Sequence, residues 1–216
     1  MPYSTKLPEG KRIAYSPTVT LGWNLAKESF MENSIFDDLM LTASAGIINQ
    51  DLDITASDNE DGYYLYKAVI QSGGWYSWGD NGGLAATEFQ RGNNPDMTYV
   101  KRKELTAGLR GSMWDKLISF DVNFFTSKMD GGLVRTNSLY PNYFTQTGYP
   151  SSSIIPYVNF NVDQRTGFDF SVYTNKKVGE VELTLGVSGM YYKSTAKKRD
   201  ENVEFNYLSA VGRALN

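Results

Sequence analysis

From Arg12 to Trp23 the odd positions are Ile13, Tyr15, Pro17, Val19, Leu21 and Trp23, and the even ones are Arg12, Ala14, Ser16, Thr18, Thr20 and Gly22. One side is apolar throughout and the other polar or small, which is the period of a β-strand with one greasy face. Globular strands usually run about 5–6 residues, so this pattern predicts a long one. Pro17 lacks a ladder donor and predicts a bulge or an edge there. Good helix formers from Leu25 to Ser34 predict a short helical turn.

The alternation resumes at Leu39, Leu41, Ala43, Ala45 and Ile47, against Met40, Thr42, Ser44 and Gly46. A third strand is predicted over Tyr63–Gln71 and a weaker one over Leu84–Arg91, closed by the turn-rich GNNPD of Gly92–Asp96. Between them, Ser72–Asp80 (SGGWYSWGD) carries Trp75, Tyr76 and Trp78 among glycines. An interfacial girdle or loop packing is the favoured reading there, with stacking on a sugar as the other. Gly131–Pro156 reads as a large exposed loop, and Lys193–Asn206 as a second.

The sharpest local pattern is the hairpin from Lys103 to Lys128. With Asp115 and Lys116 as a two-residue turn, Met113 faces Ile118, Gly111 faces Phe120, Leu109 faces Val122 and Ala107 faces Phe124. The opposite face then sets Ser112 against Ser119, Arg110 against Asp121 and Gly108 against Asn123. A slip of one residue would destroy both patterns together, so the register is strongly specified. A further hairpin places Phe168, Phe170 and Val172 on the same face as Val181, Leu183, Leu185, Val187 and Tyr191, with Asn175–Gly179 as its connection. The total is about eight antiparallel up-and-down strands with alternately short and long connections, the plan of an outer-membrane barrel.

Composition narrows the chemistry. The 216 residues include no cysteine and no histidine, which excludes disulfides, thiolate zinc sites and His-based catalysis. With 21 basic and 24 acidic residues, nothing electrostatic favours a nucleic-acid partner. Aromatic residues at 14% favour strands and interfacial belts. No run approaches the roughly 18 apolar residues of a membrane helix. The segment MPYSTKLPEGKR lacks the apolar core of a signal peptide.

Asp51, Asp53, Asp58, Glu60 and Asp61 make an acidic loop, but their spacing matches no calcium motif and a solvated loop is the better reading. Carboxylate pairs such as Asp121 with Glu104 are imaginable as acid and base; polar positions mid-strand facing a wet lumen explain them better. No catalytic, cofactor-binding or metal-binding residue is assigned, and the substrate-binding residues are unknown.

SPTVTLGWNLAKESFM (Ser16 to Met31) and FDDLMLTASAGIINQDL (Phe36 to Leu52) resemble the barrel of the SusC/RagA family of TonB-linked outer-membrane proteins. There a P-S-x-S-x-G-W strand and a short helical turn precede L-K-L-R-A-S-Y-G-x-x-G-N. Thr42 stands here in the usual arginine position and Ala45 replaces the aromatic. Lys101 to Phe125 is similar to the E-x-x-N-x-G-x-D strand and hairpin, and Val158 to Ser194 to the N-x-G-x-x-x-N-x-G-x-E segment. Arg199 to Asn216 is similar to the stretch ending Y-x-x-x-x-G-x-P-L.

The resemblance implies part of a TonB-dependent transporter in the outer membrane of a Gram-negative cell, importing glycans or peptides. It also implies TonB, a SusD-like surface lipoprotein, outer-membrane lipid, and the remainder of the barrel and its plug as partners. Family members are several times longer, and residues 1–216 read as a partial barrel without signal peptide, plug or TonB box. The competing expectation is a soluble β-sandwich binding carbohydrate through Trp75, Tyr76 and Trp78 or through the Tyr140–Tyr149 loop.

Overall fold

The computed structural model of the chain describes residues 2–32, 34–52, 54, 63–140 and 154–215. Six strands form one antiparallel sheet in the order β1 (Thr18–Asn24), β2 (Phe36–Gln50), β5 (Val100–Met113), β6 (Ile118–Arg135), β7 (Tyr157–Val178) and β8 (Val181–Lys198). Strands β3 (Val69–Trp78) and β4 (Asn81–Arg91) form a separate hairpin, carried on the connection from β2 to β5. The architecture is all-β and up-and-down, about eight strands, and it does not close on itself.

The connections sort by length. Residues 25–35, 114–117 and 179–180 join strands at one end, here the turn end. At the opposite, long-loop end lie 51–99, 136–156 and the segment after Lys198. Two 3-10 turns, Leu25–Lys27 and Ser29–Met31, occupy the predicted helical piece.

The predicted register of the β5–β6 hairpin is the one observed, with Leu109 opposite Val122 and Arg110 opposite Asp121. Its turn has φ of 55° at Asp115 and 62° at Lys116, and the Leu117 N–H donates to the Trp114 carbonyl at 3.1 Å. Trp114 before them also has a positive φ, 57°; the positive φ values of the central pair give the backbone sense that matches the twist of the flanking strands. Asp37 supports the turn by accepting from the Lys116 N–H at 2.8 Å.

Several predicted boundaries are corrected. The ladder of β1 starts only at Thr18; before it, the Ile47 N–H still reaches the Pro17 carbonyl at 2.9 Å, but Pro17 has no donor to return. Residues 63–68 are irregular, and the third strand is Val69–Trp78, so the aromatic SGGWYSWGD segment is mostly strand. Leu65 and Tyr66, inside the predicted span, pack instead into a loop core described below. The β7–β8 connection is the pair Gly179–Glu180, not Asn175–Gly179, because Gly179 supplies φ of 66° and lets both strands run on. Strand β6 runs to Arg135 and β8 to Lys198, into segments expected to be loop.

No second sheet covers either face of the six-stranded sheet among the described residues. The buried core instead sits at the long-loop end: Leu7, Ile54, Leu65, Met97 and Tyr99, with Ala14, Tyr66, Leu133 and Tyr157 packed against it. Arg91 is fully buried beside this core and donates to the Lys67 and Tyr64 carbonyls at 3.1 and 3.2 Å. Arg135 donates to the Gln90 carbonyl at 2.6 Å and lies over the Tyr157 ring. The Arg135 bond ties the base of the β3–β4 hairpin to the main sheet, and the Arg91 bonds tie it to the 63–68 segment.

Candidate functional site: a two-faced wall

Register decides which side chains share a face. One row crosses all six strands as Leu21, Ala43, Ala107, Phe124, Phe168 and Tyr191. The neighbouring row is Trp23, Leu41, Leu109, Val122, Phe170 and Gly189. Gly189 leaves room for the Phe170 ring, which an added Cβ would meet at 2.8 Å. Leu21 is 68% exposed and Leu185 70%, although burying such side chains is worth about 1.5–3 kcal/mol each. Val19, Val122, Phe124, Phe168 and Val187 are exposed as well. A contiguous apolar face of this extent marks contact with something outside the chain.

This apolar band does not run square to the strands. On β2 it extends from Leu39 to Ile47 and centres on Ala43, which is in register with Tyr191 of β8 through Ala107, Phe124 and Phe168. On β8 it extends from Val181 to Tyr191 and centres at Gly186, five residues nearer the turn end (191 against 186) over four strand steps. At about 3.3 Å per residue and about 4.8 Å per strand, the band slants by roughly 40° against the strand normals. Strands of membrane barrels tilt by about 35–45°.

The opposite face is polar. Arg110 Nε donates to Asp121 at 2.7 Å; Asn123 Nδ2 donates to Asp121 at 2.7 Å and to Asp169 at 3.0 Å. The chain of four groups spans β5, β6 and β7. Gly108 makes space for it, since a Cβ there would meet Asn123 Oδ1 at 2.3 Å and Thr42 Oγ1 at 2.8 Å. Nearer the long loops, Arg102 pairs with Glu104 and donates to Ser127 at 3.2 Å. Arg165 donates to Ser194 at 3.1 Å and lies over the Tyr192 ring at 4.8 Å. Arg102, Asp163, Arg165 and Tyr192 line an open cavity of about 300 Å³ on this face. Its mixed charges and aromatic ring can hold a polar chain by hydrogen bonds and stacking.

The residues weighed from sequence fall as follows. Glu104 and Asp121 lie on one face but six register positions apart, about 20 Å along the strands. Each has its own arginine, and paired catalytic carboxylates stand within about 10 Å. Trp75 sits on β3 opposite Ala85 and is exposed; Tyr76 and Trp78 belong to the same strand, their side chains outside what is described. Of the Tyr140–Tyr149 loop, residues 141–153 lie outside the described residues, as does most of the acidic 51–61 loop. No cluster of metal-ligating groups occurs among the described residues. The Arg110–Asp121 pair was readable from sequence; the Asn123–Asp169 link was not, because it spans the long β6–β7 connection.

The class of fold is thus an open, antiparallel, up-and-down wall with one apolar and one polar side. No known protein family and no curated protein matches the chain. Solved structures do. The RagAB peptide importer in its closed-closed state aligns over 91% of this chain and 20% of its own, with TM-score 0.65 and 19% identity. Its open-open state aligns over 94% of this chain and 19% of its own, with TM-score 0.65 and 18% identity. A further structure of the RagAB peptide transporter gives 91%, 20%, 0.64 and 18% in the same order. The chain therefore spans about a fifth of those chains, and the likeness at this identity is one of fold. These neighbours are transporters, not enzymes.

Proposed function

We propose that residues 1–216 form one part of the β-barrel of a TonB-dependent outer-membrane transporter of the SusC/RagA type, with no catalytic role. The observation that carries this is the slanted apolar band, exposed across six strands and backed by a polar face. A soluble sandwich buries such a band between sheets, whereas a barrel turns it to lipid and its polar side to a wet lumen. Short turns then face the periplasm and long loops the exterior. The fold neighbours favour a peptide cargo over a glycan, and the mixed-charge cavity around Arg102, Asp163 and Arg165 suits a zwitterionic chain. Under this reading the remainder of the barrel, its plug, TonB and a SusD-like lipoprotein complete the machine.

The chain has no cysteine, so the single variants V122C and N123C test the two faces directly. In neutral-detergent micelles, the thiol of V122C is expected to be shielded from a water-soluble maleimide, and that of N123C to react. Equal reactivity of both, or shielding of both without detergent, would refute the barrel reading.

A further inference from the structure

Just beyond the apolar band, at the long-loop end, its face turns cationic. Lys103 and Lys128 are direct cross-strand partners, and Lys193 projects from the same face one row nearer the band, opposite Thr166. Like charges placed opposite each other destabilise a strand pair. Lys103 meets Asp130 at 3.2 Å, while Lys128 and Lys193 make no ion pair among the described residues. Between the two opposed lysines lies an open groove of about 280 Å³, floored by Leu105 and Thr126 and flanked by Gln164 and by Glu104, whose carboxylate is held by Arg102. The turn end differs, since Lys116, Lys176 and Lys177 there mix with Asp115, Glu180 and Glu182. The excess of positive charge is therefore confined to one rim of the band.

We infer that Lys103, Lys128 and Lys193 form a seat for the phosphate of a phosphorylated glycolipid in the outer leaflet, the acyl chains lying along Leu105 and the band below. The inference rests on the membrane reading given above. An anion between the opposed lysines gains a charge-assisted hydrogen bond from Lys128 and a second from Lys103, which it shares with Asp130, and the Gln164 amide and the Thr126 hydroxyl suit sugar hydroxyls. A cation near an anionic lipid surface contributes about 1 kcal/mol, so removing two weakens binding by roughly thirty-fold.

The test uses the full 216-residue chain in neutral-detergent micelles, with lipid A and its dephosphorylated form as probes. Bound lipid is read by native mass spectrometry, and the fold by maleimide labelling of V122C and N123C made in the same backgrounds. The expected result is retention of lipid A but not of the dephosphorylated lipid. Retention falls roughly thirty-fold in the K103Q/K128Q variant and is unchanged in K176Q at the turn end, all with an intact labelling pattern. Equal retention of the two lipids, or an unchanged K103Q/K128Q variant, overturns the seat while leaving the barrel reading in place. A chain that micelles fail to disperse overturns both.

Discussion

Asn159 shows how one side chain can stand in for missing ladder. Strand β6 bulges at Gly131 and Gly132, where register with β7 shifts. The Asn159 carboxamide bridges the gap: Nδ2 donates to the Thr98 and Gly131 carbonyls, and the Thr98 N–H donates to Oδ1, all at 2.9 Å. Truncation in N159A leaves three backbone groups without these partners, and a loss of about 1–3 kcal/mol is expected, read as a lower urea midpoint in micelles. The second residue-scale prediction concerns Glu201. It accepts from the Ser209 hydroxyl and, at 2.7 Å, from the Ala210 N–H, and these bonds hold its carboxyl below its ordinary 4.5. A depressed carboxyl stabilises the fold fully above that ordinary value, and the contribution is lost as pH falls through the folded one. Amide protection across 200–211, measured against the intrinsic exchange rate at each pH, should therefore fall on acidification, and E201Q should remove that dependence; an unchanged profile in E201Q would contradict the assignment.

Among the elements, the β5–β6 hairpin was legible to the residue because Leu109–Val122 and Arg110–Asp121 constrain opposite faces at once. Strand β3 was misplaced for the converse reason. Gly73 and Gly74 fall where its register with β4 shifts, which breaks the alternation, while Leu65 and Tyr66 of the predicted span pack into the loop core. The partner of β6 was not legible at all, since the long 136–156 connection leaves β7 free to pair at many offsets. Replacing Asp115–Lys116 by Asn-Gly keeps their positive φ values at lower cost; relief of about 1–2 kcal/mol of left-handed strain at Lys116 outweighs the glycine's chain-entropy cost of about 0.4–1 kcal/mol, so the double variant should raise stability. Placing arginine at Val122, mid-band, should cost about 2–4 kcal/mol in a bilayer; urea titration in lipid measures both, and a neutral V122R would mean that the band never meets hydrocarbon.

For the whole molecule, the edges matter as much as the faces. The C-terminal segment covers only the long-loop end of β8, where Thr195 bridges to Ala214 and the Leu215 N–H reaches the Ser194 carbonyl at 2.9 Å. Nothing among the described residues pairs with the outer edge of β8 from Val181 to Lys193 or with the outer edge of β1. Unpaired edges beside an exposed apolar band are templates for association, so the isolated chain in detergent-free buffer is expected to sediment as large aggregates. A sharp monomer with cooperative melting would reverse that expectation. The slant of the band also bears on whether these strands could seal themselves into a tube. Six strands leaning by about 40° would bend to a backbone radius of roughly 6 Å, narrower than the eight-stranded case whose interior side chains only just fill. The side that would turn inward carries Arg110, Arg165, Tyr173 and Tyr192, each about as long as that radius. A self-sealed cylinder of these six strands has no volume for them, so under the proposed barrel reading the curvature of this wall is to be completed by further strands.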